Sequence, residues 1–334
     1  MNTEFARTIE YGKTARDKLE LLLEGGSIGH PAISFWQHFP GKDLELTQFI
    51  NETIQYQETY LLDLVKVSPN GLYSVMDYGA KLTYSVPGQP AVLSENIIKS
   101  EDDWAKIQPS DSIGPELKKQ IKALKLIRDK LGKDQPIIET VFTPLTIIHK
   151  ITNPVLFSKS IEQESPGLKR ALEIVTETTS KFAREVISTG IDGLFFSTQC
   201  ATTDVCSKQQ CMKWEVPYSK TVINELHEKA KDFTVLHLHG ENVISELERE
   251  FQVGFLNPHD FKQLNQIIKS TNKVVIGGLE RESLLKIREP PINEIKNFLS
   301  QRNRLMIGSN CVLRPATSKE LLLKIREWAR SYIY

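Results

Sequence analysis

Residues 137–142 read IIETVF, residues 165–190 read SPGLKRALEIVTETTSKFAREVISTG, and residues 193–198 read GLFFST. The first and last are short runs rich in β-branched and aromatic residues, the composition of strands. The middle block opens with a serine followed by proline, an N-cap and first-turn pair, and stops at Gly190. Within it Leu168, Leu172, Val175, Phe182 and Val186 fall on one face. Strand, amphipathic helix, strand is a βαβ unit, the connection that joins parallel strands.

The alternation continues in both directions. Toward the N-terminus the strand candidates are Ala32–Trp36 and Leu62–Val67. Toward the C-terminus they are Thr234–His239, Val253–Asn257, Lys273–Gly277 and Arg304–Gly308. Helical faces lie between them: Leu46, Phe49, Ile50 and Ile54 after the first strand, and Leu117, Ile121, Leu124, Arg128 and Leu131 after an irregular stretch. A leucine-rich helix over 13–24, stopped by Gly25-Gly26, precedes the first strand. The last helix is expected to open with a capping box from Thr317 to Glu320 and to pack Leu321, Leu322, Ile325 and Trp328. This pattern predicts an α/β fold, a (β/α)8 TIM barrel with an N-terminal helical extension. An open doubly wound sheet would carry a glycine-rich turn after its first strand, where this chain has Phe35-Trp36-Gln37-His38. No repeat or linker interrupts the pattern, so residues 1–334 are read as one domain.

Composition narrows the function. The 334 residues are 40% apolar, enough for a buried core, and Lys+Arg and Asp+Glu balance at 42 each. Without a net field, nucleic acid and anionic membrane are not expected partners. The first twenty residues are charged and lack the apolar core of a signal peptide, and no apolar run reaches bilayer length. Cys200, Cys206, Cys211 and Cys311 form no CxxC pair and no disulfide framework, which fits a cytoplasmic protein.

In a barrel of this kind the chemistry lies at the C-terminal ends of the strands. That places Trp36, Gln37 and His38, Lys66, Ser68 and Asn70, Thr140 and Phe142, Gln199, His237 and His239, Asn257 and His259, Glu280, and Ser309, Asn310 and Cys311 at the mouth. The set is rich in imidazole and almost free of arginine. His237 and His239 are two apart on a strand and project to the same side. Joined by Cys311 after the eighth strand, they would make a three-ligand site with an open fourth position, as catalytic zinc requires. The alternative is that the histidines pack with satisfied nitrogens and Cys311 is a small buried residue. Lys66, inside a strand, either points to solvent or, if inward, must be paired; it is read equally as a substrate-binding residue and as one half of an internal ion pair with Glu139. Asp77 and Tyr78 are candidate substrate-binding residues. The loop holding Cys200, Cys206 and Cys211 is long enough for a lid, its cysteines matching no zinc spacing.

Pro31–Pro40, Asp63–Gly79, Phe142–Thr146, Gly190–Gln199, His239-Gly240 and Gly308–Pro315 together resemble the uroporphyrinogen decarboxylase superfamily, whose fold is an α/β barrel. The resemblance carries substrate-binding roles onto Trp36, Gln37 and His38, where the decarboxylases have an RQAGR segment of which only the glutamine remains. It carries catalytic roles onto Asn70, at the place of an aspartate, and Gln199, at the place of a serine. Lys66 is added as a cationic anchor and Asn257 as a substrate contact. Lys150 replaces a tyrosine, and Cys311 a histidine. An uncharged asparagine does not organise pyrrole N–H groups as a carboxylate does, and a tryptophan cannot form the bidentate contact to a substrate carboxylate that arginine makes.

The superfamily also contains zinc-dependent methyltransferases that move a methyl group from a methylcobamide protein to a thiol. Their His-x-Cys-Gly motif is similar to His237–Gly240, with His239 in place of the first cysteine and Cys311 matching the second. The resemblance thus implies zinc held by His237, His239 and Cys311, a corrinoid delivered by a partner protein, a small-molecule substrate and a homodimer. Replacing one thiolate by a neutral imidazole leaves the zinc site with one net positive charge, a stronger Lewis acid. The leading expectation is a zinc-dependent methyltransferase-like enzyme. The alternatives are a metal-free carboxy-lyase of porphyrin biosynthesis and a tetrapyrrole- or corrinoid-binding protein without turnover.

Overall fold

A computed structural model describes residues 14–83 and 89–333; most of the N-terminal stretch read above, including Lys13 of the expected first helix, lies outside them. Eight parallel strands form the frame: β1 (Ile33–Ser34), β2 (Val65–Val67), β3 (Ile137–Phe142), β4 (Gly193–Thr198), β5 (Val235–Leu238), β6 (Phe255–Pro258), β7 (Val274–Leu279) and β8 (Leu305–Ser309). They pair in chain order, and β1 returns to pair with β8, Ile33 opposite Ile307 and Ser34 opposite Gly308. The result is a nearly closed (β/α)8 barrel. All eight strand candidates are present, although Ala32–Trp36 shrinks to a two-residue strand.

No ladder joins β1 to β2 among the described residues. Isolated hydrogen bonds, most of them from side chains, bridge that seam instead. Asp63 Oδ2 accepts from the Ile33 amide at 2.8 Å, the Asp63 amide donates to the Ile33 carbonyl at 3.0 Å, and the Ser34 hydroxyl donates to the Leu64 carbonyl at 2.8 Å. Lys18, from the first helix, pairs with Asp63 Oδ1 at 3.0 Å.

Every barrel strand is buried on both faces, as parallel sheets require. Ile138, Phe195, Val235, Phe255, Val274, Ile276 and Met306 cluster with Ala32, Trp36 and Leu64 as the barrel filling. Helix α1 (Ala15–Glu24) adds Leu19 and Leu22 to that cluster and plugs the N-terminal end, the role of the expected helical extension. The filling leaves the opposite end free for polar groups.

Around the barrel run α2 (Leu46–Tyr60), α3 (Pro115–Leu131), α4 (Pro144–Ile151), α5 (Pro154–Glu162) and α6 (Pro166–Ser188). α4 and α5, between β3 and the long helix, are additions to the sequence reading; each has proline at its first position. Ser165 caps α6 as expected, accepting from the Leu168 amide. The last helix, Lys319–Ser331, corrects the expected capping box: its N-cap is Ser318, whose hydroxyl accepts from the Leu321 amide at 3.3 Å. The Thr317 amide is turned back to the Arg314 carbonyl, one residue too early to cap. No described helix is long and apolar enough to cross a membrane.

Candidate metal centre

Inward-facing positions alternate along each strand. On β5 that parity turns Val235 and His237 inward, and the chain keeps it to His239, whose amide donates to the Thr198 carbonyl at 2.9 Å. On β6 the same parity selects Asn257 and then His259. β8 delivers Cys311 from across the mouth. Ligand atoms of His237, His239, His259 and Cys311 all lie within 4.8 Å of one another.

The geometry within the group is specific. His237 Nδ1 lies 2.9 Å from the Asn257 carbonyl, which can only accept, so Nδ1 carries the proton and Nε2 offers a lone pair. That Nε2 is 3.3 Å from His239 Nδ1 and 3.9 Å from Cys311 Sγ, and His239 Nδ1 is 3.6 Å from Cys311 Sγ. Zn–N bonds of about 2.0–2.1 Å and Zn–S bonds of about 2.3 Å put tetrahedral donors about 3.4 Å (N to N) and about 3.6 Å (N to S) apart. The residues present fit a tetrahedral cation. His239 Nδ1 is also 3.2 Å from His259 Nδ1, which accepts from the Gly240 amide at 3.2 Å. A single proton on His239 could serve one of these neighbours, whereas a cation serves several donors at once.

The surroundings favour the metal-binding forms. Burial, then the neighbouring His239 and His259, holds His237 well below the usual imidazole range. Burial, then His259, lowers His239 to about 3, and burial with Arg281 lowers His259 to about 4. The imidazoles are therefore neutral. Burial raises the Cys311 thiol, and a bound cation would reverse that. Asn257 ties the frame: its Nδ2 donates to the Ile276 carbonyl at 2.9 Å and to the Ser309 carbonyl at 3.1 Å, linking β6 to β7 and β8. Asn310 donates to the His259 carbonyl at 2.7 Å.

A cavity of about 190 Å³ opens beside the donors, and His38, Lys66, Gln199, His237, His239 and Cys311 from the sequence candidates line it. Lys150, Arg281 and Arg314 line it too, so the mouth is richer in arginine than its sequence reading. His38 is lowered to about 4 by burial and then by Lys66 and Lys150. Burial pulls Lys66 and Lys150 each down to about 7.

Other candidates stand elsewhere. The Asp77 carboxylate accepts from the Glu116 and Leu117 amides at 2.9 and 3.1 Å and caps α3. Tyr78 lines a small void with Tyr73, Leu117 and Phe182 in the outer layer. Trp36 packs edge-on against Phe195, ring centroids 5.0 Å apart, below the cavity. Gln37 bridges to Leu313, and Asn70 Oδ1 accepts from the Leu72 amide at 2.9 Å. Asn257 lies behind His237 rather than on the cavity wall. Cys200, Cys206 and Cys211 are buried and free. Glu139, the partner expected for Lys66, is on the odd, outward parity of β3 with Ile137 and Val141, and forms no ion pair with it; Lys66 Nζ donates to Ser68 Oγ at 2.9 Å. His259, read from the sequence only as a residue of the mouth, joins the three expected donors as a further neighbour; it stands two residues beyond Asn257, the spacing that singled out His237 and His239.

The uroporphyrinogen decarboxylase (URO-D) family profile matches residues 47–332. Methylcobamide:CoM methyltransferase MtbA of Methanosarcina acetivorans is 22% identical over 253 residues, 74% of this chain and 73% of that protein. MtbA of Methanosarcina mazei matches at the same 22% over 253 residues, again 74% and 73% of the two chains. Among solved structures, a methyltransferase from Methanosarcina mazei superposes with TM-score 0.76 at 15% identity, covering 96% of this chain and 99% of its own. A B12-independent methionine synthase from Shewanella sp. W3-18-1 does so with TM-score 0.58 at 14% identity, over 91% and 95%.

Proposed function

The chain belongs to the uroporphyrinogen decarboxylase (URO-D) family, and we propose that within it this protein is a zinc-dependent methyltransferase acting on a small thiol. The observation that carries the reading is the triangle of His237 Nε2, His239 Nδ1 and Cys311 Sγ, with edges of 3.3, 3.6 and 3.9 Å. These three residues hold the metal. His259 Nδ1 is engaged by the Gly240 amide, which leaves the fourth corner to the acceptor. Zinc bound there supplies a Lewis acid that lowers the pKa of a coordinated thiol.

The chain's own residues do the rest. The Asn257 carbonyl fixes the His237 tautomer, and the Phe142 and Phe195 rings keep one wall of the cavity apolar. Gln199, whose amide is anchored on Thr146 Oγ1 at 2.9 Å, faces the acceptor with Lys66 and His38. The methyl donor is a methylcobamide, the donor named for the MtbA relatives, and in this reading a partner protein delivers it. The methyl carbon forms a bond to the acceptor sulfur while the cobalt keeps the electron pair of the broken Co–C bond. The cavity, about 190 Å³, lies below the roughly 300–1,000 Å³ of sites for larger ligands, which favours a compact acceptor over a tetrapyrrole. Four free cysteines fit a reducing cytoplasm, and the chain is read as a single domain.

Metal analysis of protein purified without chelator tests this reading, together with methyl transfer from methylcobalamin to a thiol. About one zinc per chain, lost in Cys311→Ser along with transfer, is the expected result. Protein without stoichiometric metal, or decarboxylation of uroporphyrinogen by metal-free protein, would overturn it.

A further inference from the structure

Two cations face the cavity without an acidic partner among the described residues. Lys66 Nζ, besides its bond to Ser68 Oγ at 2.9 Å, lies 4.5 Å from the centroid of the Phe195 ring. Lys150 Nζ donates to the Gly71 carbonyl at 2.6 Å and lies 3.3 Å from the centroid of the Phe142 ring. The two arginines of the same wall differ, since Arg281 and Arg314 share Glu282 at 3.2 and 2.6 Å. Glu139 forms no ion pair or hydrogen bond with Lys66 and attracts it only from a distance.

An ammonium group taken out of water without a counter-charge is costly. The aromatic faces offset part of that cost. Buried cations gathered at one cavity mark a place where a ligand brings the missing charge.

We infer that Lys66 and Lys150 form a subsite for a group carrying two negative charges, and that the methyl acceptor is a compact dianionic thiol. The acceptor half of this statement rests on the proposed methyltransferase reading; the subsite half does not. On that reading the charges of the metal site and the two lysines close, the two arginines being set apart by the carboxylate of Glu282 that they share. Zinc with two neutral imidazoles and one thiolate keeps one positive charge, which the acceptor thiolate cancels. Two ammonium groups remain, and a dianion cancels both, whereas a monoanion leaves one buried and unpaired. The low proton affinity of both lysines is what burial produces when it outweighs the attraction of Glu139 and Cys311 for Lys66 and of Cys200 for Lys150.

Titration calorimetry on metal-stripped, full-length protein tests the subsite apart from the metal. Succinate should bind at least about tenfold more tightly than propionate, and succinamide should not bind detectably. Inorganic phosphate in a parallel titration tells a compact dianion from two separated carboxylates. Lys66→Met and Lys150→Met should each weaken succinate about tenfold or more. Thermal melts of both variants check folding, and either folded one suffices. With zinc restored, mercaptosuccinate should outbind 3-mercaptopropionate by a similar factor. Equal affinities for succinate and propionate, or succinate binding unchanged in both variants, would overturn the subsite. A protein that holds no zinc yet binds succinate in this way would refute the methyltransferase reading and leave the subsite standing.

Discussion

Lys66 has a thermodynamic signature of its own. Its folded-state pKa of about 7 lies below the ordinary lysine value of 10.5, so the unfolded chain binds the extra proton between those limits. Stability of the ligand-free protein therefore rises with pH from about 7 to about 10.5 through this group, and the penalty is fully present below 7. Lys66→Met should stabilise the ligand-free protein by about 1–3 kcal/mol at neutral pH, an advantage that shrinks toward pH 10. Denaturant melts at several pH values would show it, and a variant less stable than the parent at pH 7 would refute it. Asn257 is the opposite case: its side-chain donors are fully satisfied and tie β6 to β7 and β8, while the ligand histidine rests on its main-chain carbonyl, which a substitution would shift but not remove. Asn257→Leu should lower zinc affinity about 10–100-fold, read by competition with a chromophoric chelator. Parity along a strand made His237 and His239 legible as neighbours from their numbers alone. Lys150, Arg281 and Arg314 were not legible in that way, because they reach the cavity from a helix and from loops whose paths local sequence does not encode.

Among the elements, the long ones were read at nearly their full length, whereas the short β1 was overdrawn as Ala32–Trp36 and the pairing of Leu82–Thr83 with Val92–Leu93 was missed. β3 and β4 are six-residue runs buried on both faces, and α6 is a 23-residue amphipathic helix with its cap in view. The two-residue β1 and the hairpin of Leu82–Thr83 with Val92–Leu93 carry too few residues for any period to show. Asp77 shows how tertiary context reassigns a polar residue. Gly114 stands at the N-cap of α3 with no side chain to offer, and Asp77 reaches over to accept the free amides of Glu116 and Leu117. Asp77→Ala should cost about 0.5–2 kcal/mol of stability, the worth of an N-cap, and leave succinate affinity at its parental value. A loss of binding at unchanged stability would return Asp77 to the cavity.

For the molecule as a whole, the closed ring of strands makes metal occupancy a global property, since the ligands come from β5 and from the far side of the ring after β8. Free zinc at about a hundred times its dissociation constant should add about 2.7 kcal/mol to the stability of chelator-treated protein, and should add nothing to Cys311→Ser. A thermal shift of equal size in both proteins would place the zinc elsewhere. The seam between β1 and β2 bears on motion. Seven of the barrel's junctions are backbone ladders, whereas this one is fastened by Asp63, Ser34 and Lys18. Side-chain fasteners let go more readily than ladders, so the ring has a designated place to open. Amide hydrogen exchange should therefore be fastest at Ile33 and slowest in β3 and β4, and Asp63→Ala should widen that contrast. The cylinder would then breathe as a clasp does, along one edge, with His237 on the wall opposite the opening and Cys311 one strand from it.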